Sequence, residues 1–260
     1  MTSVATVLAT VTPKNIHSFD FVNHVYSIDD IRVLTEACAD SQHWCKKQLA
    51  CKYFTHLCRQ HTTLMYEHLH TIIPIVSNLV YDLKLCVSEE AVQTLYALYS
   101  IIQNRDLEPF IPSLIKALQE PETVSETIHQ LSAIVFVQEL RKPALSILVP
   151  LLLRGFQEKT TAIKRKCCVI CENICKLIDE PEDVGAFLPQ LLPPIQKIID
   201  EVADPECRQV ADRVRTLLEK IIETKKQTWV GEAALDEGID LCDCEFSLAY
   251  GSRILLNRSR

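Results

Sequence analysis

The sequence predicts an all-α protein in which helical hairpins stack into an α-solenoid, followed by a short β-hairpin-like tail. The main observation is that Pro74, Pro112, Pro150 and Pro189 recur at intervals of 38, 38 and 39 residues. Apolar side chains recur around each proline at helical spacing, which is typical of a repeated amphipathic helix. Only 5 of the 260 residues are Gly, which argues against turn-rich all-β folds and glycine-loop nucleotide folds.

The first helix of each unit surrounds the recurring proline. Apolar residues stand two positions before it, two after it and six after it, so they share one helix face. The four copies read "TIIPIVSNLV", "PFIPSLIKAL", "SILVPLLLRG" and "AFLPQLLPPI". Proline suits the first turn of a helix and kinks its interior, and both placements fit the pattern. Polar connectors are expected to begin at Asp82, Glu120 and Glu158.

A second helix is predicted in each unit, with a buried stripe at offsets of 21, 25 and 28 residues from the proline. The stripe positions are Leu95, Tyr99 and Ile102, then Ala133, Val137 and Leu140, then Cys171, Cys175 and Ile178. A two-helix unit of about 38 residues is close to the HEAT period, and such a hairpin buries its inner face only by stacking on neighbours. The sequence therefore predicts a HEAT-repeat α-solenoid of about four to five hairpins.

The pattern also sets the expected domain boundaries. A degenerate first unit is predicted over Ile28–His70, with helices in "DDIRVLTEACAD" and "SQHWCKKQLACKYFTHLC". The unit of Pro189 has a longer connector, "QKIIDEVADPE", before the helix "CRQVADRVRTLLEKII". The resulting division is an N-terminal segment 1–27 for which disorder is allowed, a solenoid 28–222, a linker 223–240 and a tail 241–260.

The tail reads as two short strands. Phe246, Leu248 and Tyr250 alternate with other residues, and Ile254–Leu256 follows a Gly251-Ser252 turn. Alternation on both sides of a turn is typical of a β-hairpin.

Bulk properties exclude several classes of protein. The net charge is −7, so any contact with nucleic acid must come from a local basic patch. No secretory signal or clear mitochondrial presequence is seen, and no uncharged apolar stretch approaches about 18 residues, the length of a membrane span. We expect a cytoplasmic protein whose 12 cysteines are reduced, with neither membrane nor DNA as a partner.

Cysteines and histidines superficially resemble metal ligands. The thiols in question are Cys167, Cys168, Cys171, Cys175 and Cys207. Because Cys171 and Cys175 occupy stripe positions that are apolar in other units, the thiols are interpreted as core residues. Cys242 and Cys244 lie on one face of a predicted strand in the tail, where neither metal binding nor redox chemistry is expected. The early group is His56, Cys58, His61, His68 and His70. It lacks a tight ligand pair and is interpreted as a solvated helix face.

The densest cluster of cations lies at the start of a predicted helix. Lys164, Arg165 and Lys166 follow Thr161, the expected N-cap, and Arg154 and Lys159 precede it. Cations near a helix N-terminus oppose its dipole, so folding alone would favour acids there. Two interpretations stay open, phosphate contact with RNA and an exposed solubility face.

No catalytic apparatus is recognisable. The chain contains neither G-x-x-x-x-G-K-[ST] nor G-x-G-x-x-G, the loops that cradle nucleotide phosphates. No nucleophile-base set or acidic pair stands out. We therefore predict no catalytic residue, no bound cofactor and no enzyme activity for these residues.

The residues nevertheless resemble a known family. "FIPSLIKAL", "LSILVPLLLRG", "IKRKCCVICENICKLI", "FLPQLLPPI" and "VADPECRQVADR" resemble the N-terminal HEAT domain of the fungal-type translation elongation factor three, an ABC-F ATPase. The closing "DLCDCEFSLAYGSRILLN" resembles the start of that factor's first ATP-binding cassette. The tail is the more specific part, because HEAT motifs recur in many adaptors.

The resemblance implies a function. Elongation factor three is a cytosolic ribosome-bound ATPase that promotes release of deacylated tRNA from the exit site, and its HEAT domain docks on ribosomal RNA and small-subunit proteins. By that similarity, Lys164, Arg165 and Lys166, with Arg154 and Lys159, are candidate ribosome contacts. Tyr250 corresponds to the aromatic residue that stacks on adenine in such cassettes. The implied partners are the ribosome and other translation factors, and ATP is the cofactor of the parent family.

This chain departs from the family in length. Only "EKIIETKKQTWVGEAALDEG" joins the solenoid to the tail, where the family has a further helical stretch, and the sequence stops before a phosphate loop. A truncated gene, a partial gene model and a short paralogue all fit. The alternative function is a general HEAT adaptor or a translation-regulator scaffold, as in the regulator of the starvation kinase that shares this HEAT region.

Overall fold

A computed structural model describes residues 3–16, 18, 26–40, 42–178, 180–236, 246–250 and 253–259. The chain forms two compact units, Met1–Leu218 and Glu219–Arg260. None of the described helices combines the length and apolar character needed to cross a membrane.

The described residues up to Asp236 are built from helices, the last of which extends from the first unit into the second. In chain order they are α1 (Val4–Thr10), α2 (Ile28–Ala39), α3 (Trp44–Gln60), α4 (Thr62–Leu79), α5 (Leu85–Ser100), α6 (Ile111–Gln119), α7 (Val124–Ser132), α8 (Lys142–Gln157), α9 (Thr161–Cys175), α10 (Pro181–Gly185), α11 (Leu188–Glu201) and α12 (Pro205–Asp236). Single 3₁₀ turns, Glu108–Phe110 and Pro121–Thr123, precede α6 and α7. Successive helices form the predicted hairpins, and the all-α HEAT-repeat solenoid is confirmed.

Local sequence explains where several helices begin. At α2 the Ser27 hydroxyl accepts a hydrogen bond from the Asp30 N–H at 3.4 Å, and the Asp30 carboxylate accepts one from the Ser27 N–H at 2.8 Å, which is a capping box. Pro112 and Pro189 lie in the first turns of α6 and α11, where no intrahelical N–H is lost. Pro74 and Pro150 lie inside α4 and α8. Both placements that the sequence allowed therefore occur.

Apolar faces meet in one stacked core. Helix α2 packs on α4, α3 on α5, α7 on α9 and α8 on α11. Because α6 has only 9 residues, α4 also packs directly on α8, two hairpins away. The stripe positions of the first helices are buried, among them Ile72, Leu114, Leu152 and Ile195, except Phe110, which is half-buried in the 3₁₀ turn before α6.

In the unit of Pro112 the predicted second-helix stripe is wrong at Ala133 and Val137, whereas its third position, Leu140, is buried as predicted. Helix α7 ends at Ser132, and Ala133 and Val137 are exposed, with Val137 at 77%. The 3₁₀ turn at Pro121–Thr123 starts α7 directly after α6, so the helix is complete before the predicted positions are reached. Ile102 and Ile178 likewise lie beyond the ends of α5 and α9.

Other boundaries also differ from the sequence expectation. The segment 1–27, for which disorder was allowed, contains α1, whose Val4 and Leu8 are buried where α1 packs on α2 and α3. Helix α11 runs to Glu201, so the connector before α12 is shorter than predicted. Helix α12 continues to Asp236, through most of the segment 223–240 expected to be a linker.

The second unit contains two antiparallel strands where the tail was predicted. These are β1 (Phe246–Tyr250) and β2 (Arg253–Ser259). The paired Cα positions include Leu248 with Leu256 and Tyr250 with Arg253. The turn residues Gly251 and Ser252 lie outside the described residues.

Candidate basic surface around α9

Helix α9 carries the three consecutive cations that the sequence singled out. Its N-cap is Thr160 and not Thr161, and the Thr160 carbonyl accepts hydrogen bonds from the N–H groups of Ile163 and Lys164 at 3.1 and 3.3 Å. The opposite face of α9 is buried in the solenoid at Cys167, Cys168 and Cys171. The cations are therefore fixed on the half-exposed side of a well-anchored helix.

The three side chains are directed to three different places. Arg165 forms an ion pair with Glu206 of α12, and the Lys166 ammonium donates a hydrogen bond to Nδ1 of His129 in α7. Lys164 lines a groove of about 390 Å³ together with Lys197. In the described part of the chain the Lys164 ammonium has no hydrogen-bond or ion-pair partner. Lys164 is therefore the member of the triplet that keeps its charge available.

Arg154 joins three hairpins. Its guanidinium donates to the carbonyl oxygens of Ala117 at 2.8 Å and Leu118 at 3.1 Å. It also donates to the hydroxyl of Tyr81, over whose ring the guanidinium carbon lies at 5.5 Å from the centroid. These contacts occupy most of the donors of a planar guanidinium, so Arg154 is a structural connection between α4–α5, α6 and α8.

Lys159 immediately precedes Thr160, the N-cap of α9. It is exposed and lines a groove of about 760 Å³ with Tyr81, Arg154 and Thr160. Within the described residues its ammonium has no ion pair. We call Lys159 and Lys164 the free lysines of the α9 edge.

The cysteines near this surface have the character of core residues. Cys171 is 3% exposed, which confirms its predicted core position. Burial raises the pKa of Cys168 to about 12 and that of the half-buried Cys175 to about 12. Because the thiolate is the nucleophile and the metal ligand, these protonated thiols are chemically quiet. In the ranges that the structure describes, no group of three or more His, Cys, Asp or Glu side chains is arranged to hold a metal. Cys242 and Cys244 lie outside those ranges.

The histidine group differs from its predicted solvated face. His56 and His61 lie against the Tyr26 ring, with centroids 6.1 and 5.3 Å apart. Burial and the nearby Lys142 lower the pKa of His70. Cys58 is buried and His56, His68 and His70 are half-buried, so the solvated-face interpretation is wrong for these four residues, whereas His61 is exposed as it predicts.

The sequence did not predict two interactions of the cations, the ion pair of Arg165 with Glu206 and the hydrogen bond of Arg154 to Tyr81. Partners of Arg165 and Arg154 lie in other hairpins, and no local motif marks Glu206 or Tyr81. The side chain of Tyr250, the proposed adenine-stacking residue, lies outside the described part of the chain, although its backbone closes β1.

Comparison with known proteins gives a consistent family signal. The model of the "Elongation factor 3/GNC1 HEAT repeat" matches residues 122–228, which include α9 and both free lysines. The chain is 42% identical over 181 residues to elongation factor 3 of Gonapodya prolifera, covering 70% of this chain and 17% of that protein. It is 37% identical over 187 residues to elongation factor 3 of Candida albicans, covering 72% and 18%.

A longer match covers more of the chain. Elongation factor 3 of Pneumocystis carinii is 30% identical over 315 residues, covering 87% of this chain and 30% of that protein. The alignment is longer than the 260 residues of this chain, so it includes residues of the relative that have no counterpart here. The chain spans less than a third of the length of each of these relatives.

Proposed function

We propose that this chain, which carries an elongation factor 3-like HEAT region, is a ribosome-binding module that acts in translation elongation in the cytoplasm. The observation that carries the proposal is the pair of free lysines on the α9 edge, which lies inside the matched region 122–228. The relatives are elongation factors, and the ribosome, through ribosomal RNA and small-subunit proteins, is the partner that such a factor would bind. Release of exit-site tRNA is the process to which the module would contribute, and other translation factors are further expected partners.

Electrostatics supports a local contact and not a broad one. With a net charge of −7, the protein as a whole repels a polyanion, so attraction must come from a local patch. The ammonium groups of Lys159 and Lys164 have no carboxylate partner among the described residues, so binding phosphate would not require breaking an ion pair. The charge of Arg165 is compensated by Glu206, whereas Lys166, which is held by His129, adds positive potential beside the two lysines without having to touch RNA.

The residues present favour a binding role over hydrolysis. No G-x-x-x-x-G-K-[ST] occurs in the 260 residues, and this loop supplies the backbone N–H groups and the lysine that hold nucleotide phosphates. We infer that this chain by itself has no ATPase activity and binds no ATP, and that Tyr250 is a remnant of an adenine-stacking position. Hydrolysis of ATP by the purified chain at a steady multiple-turnover rate would contradict this inference.

Ribosome co-sedimentation at several salt concentrations tests the binding role. We expect Lys159→Glu/Lys164→Glu to reduce binding and to lower the steepness of the salt dependence by about one per lysine. Lys84→Glu is the matched control, since Lys84 is exposed and has no ion pair within the described residues but lies in a different hairpin. Equal sedimentation of the double variant and the control would refute the role of the α9 edge.

A second candidate, a general HEAT adaptor for proteins, rests on a different surface. The α4–α5 loop and the first residue of α5 expose apolar side chains at Tyr81 (50%), Leu83 (101%) and Leu85 (70%). Exposed apolar groups in one short loop are typical of protein contacts. Capture of a protein partner that resists salt and is lost in Leu83→Ser would favour this alternative.

A further inference from the structure

A groove formed by the end of α8, the first turns of α9 and the second half of α11 brings two lysines together. Lys164 of α9 and Lys197 of α11 both line it, and its volume is about 390 Å³. We call it the α9–α11 groove. Cavities that hold one small ligand measure about 300–1,000 Å³, so the size of this groove matches a single small group and not a helix or a strand.

The two ammonium groups give the groove a positive charge that one carboxylate offsets only in part. Among the residues that the structure describes, Lys164 has no hydrogen-bond or ion-pair partner. Nζ of Lys197 lies 3.8 Å from Oε2 of Glu201, one turn further along α11, and the two side chains are 70% and 64% exposed. A long, exposed i,i+4 pair is weak, so an anion can compete with Glu201 for Lys197. The groove therefore favours an anionic ligand.

The rest of the lining suits the sugar and base of an unpaired nucleotide. Pro194 and Val202 line the groove and are half-buried, so part of their apolar surface remains accessible. Gln157 is exposed, and its side-chain amide, which can both donate and accept, makes no hydrogen bond within the described ranges. Bases in a duplex are stacked and paired, whereas an unpaired base leaves its face and edge free for such groups. The lining therefore favours single-stranded over double-stranded nucleic acid.

We propose that the α9–α11 groove binds one unpaired nucleotide of RNA, with its phosphate between Lys164 and Lys197 and its base against the apolar wall. The inference rests on the proposed function, because the ribosome is the source of the RNA, and it names the kind of RNA element that α9 contacts. Lys197 is then a contact residue in addition to the free lysines of the α9 edge. Glu201 is a competitor that holds Lys197 in the free chain and releases it when the phosphate binds.

Fluorescence anisotropy of a fluorescein-labelled oligouridylate of about twelve nucleotides, at several salt concentrations, tests the proposal on the full chain. We expect Lys197→Glu to weaken binding at least about fivefold and to lower the steepness of the salt dependence by about 0.7, the value for one phosphate contact on a single strand. Glu201→Gln should strengthen binding about twofold to threefold, because it removes the competing carboxylate. Both side chains are exposed, so both variants should keep the wild-type Tm.

The ion pair Lys116–Glu120 of α6 is the matched control. It has the same i,i+4 spacing, a separation of 3.5 Å and exposed side chains, but it lies in another hairpin and outside the groove. Lys116→Glu and Glu120→Gln change the net charge equally and should alter the affinity less than about twofold. Equal effects at the two pairs would overturn the proposal, and so would an RNA duplex that binds as tightly as the single strand. A fluorescein-labelled oligoglutamate that binds as tightly as RNA and is lost in Lys197→Glu would identify an acidic peptide as the ligand instead.

Ribosome co-sedimentation separates this proposal from the proposed function. If Lys159→Glu/Lys164→Glu reduces sedimentation while the wild-type chain binds no oligouridylate, the ribosome-binding role stands and the assignment of the groove fails. If sedimentation is unchanged in that double variant and in Lys197→Glu, and no oligouridylate binds, both fail. Reduced sedimentation of Lys197→Glu, together with the expected oligouridylate affinities, would support both.

Discussion

Gly155 lies where three helices meet, and replacing it by alanine should destabilise the solenoid. A Cβ built on Gly155 of α8 falls within 3.0 Å of Ile128 Cδ1 in α7 and of Cys167 Sγ in α9. Real Cβ atoms essentially never approach other atoms that closely. The absence of a side chain at this position therefore sets how closely α7 and α9 can approach α8.

Gly155→Ala changes the free energy of unfolding through two effects of opposite sign. In a free helix interior, Gly→Ala is worth about 1 kcal/mol in favour of alanine. Overpacking a filled core costs about 1–3 kcal/mol. Ile128 and Cys167 are both 0% exposed, so neither can move into solvent, and two clashes occur together. We expect a net loss of about 2 kcal/mol in the free energy of unfolding, or about 4–8 °C in Tm.

Urea and thermal unfolding, followed by far-UV circular dichroism, measure the effect. Ile128→Val removes the clashing Cδ1 and alone costs about 1 kcal/mol. In Gly155→Ala/Ile128→Val the loss should be smaller than the sum of the two single losses by about 1 kcal/mol, because the residues share one contact. A Tm for Gly155→Ala equal to or above that of the wild type would refute the reasoning, and so would strict additivity.

Two further predictions concern the thiols and the arginine connection. Burial raises the pKa of Cys58, Cys168 and Cys175 to about 12 from an ordinary 9.0. The unfolded chain loses these protons first, so the contribution of each thiol to the free energy of unfolding is fully present below pH 9.0 and is lost between there and about pH 12, by up to about 1.4 kcal/mol per pH unit. Urea titrations should show a shallower slope for Cys168→Ala, and an unchanged slope would contradict the assignment. Arg154→Lys removes the planar donor set that spans two carbonyls and Tyr81 and should lower the free energy of unfolding by about 1–2 kcal/mol. The control variant Lys159→Ala should leave the urea midpoint unchanged. Equal midpoints for both variants would show that the contacts of Arg154 contribute nothing to stability.

Periodicity predicted the parts of the fold that depend on local sequence. The proline-centred helices were correctly located because each has its own amphipathic stripe, and Asp82, Glu120 and Glu158 mark their ends. The missed segment after Ser132 illustrates what periodicity lacks. Its conformation is fixed by Asp106, which lies 31 and 32 residues away from the amides it binds, and no repeat offset encodes that contact.

The candidate site was predictable as a cluster but not as a surface. Three consecutive cations are visible in the sequence, yet adjacent residues on a helix project about 100° apart. Their partners Glu206 and His129 are separated from them by 41 and 37 residues. Which cations remain without a partner therefore depends on how neighbouring hairpins pack against each other. No local sequence pattern specifies that packing.

The direct packing of α4 on α8 limits how this array can evolve. Ordinary solenoids gain or lose single repeats by gene duplication and deletion, because each repeat touches only its immediate neighbours. Here, deleting the α6–α7 hairpin would remove the Leu118 carbonyl that Arg154 binds and displace the face that α4 shares with α8. Inserting a hairpin would separate Tyr81 from Arg154. The number of repeats between α4 and α8 is thus fixed, and natural variation in array length should be confined to regions outside them.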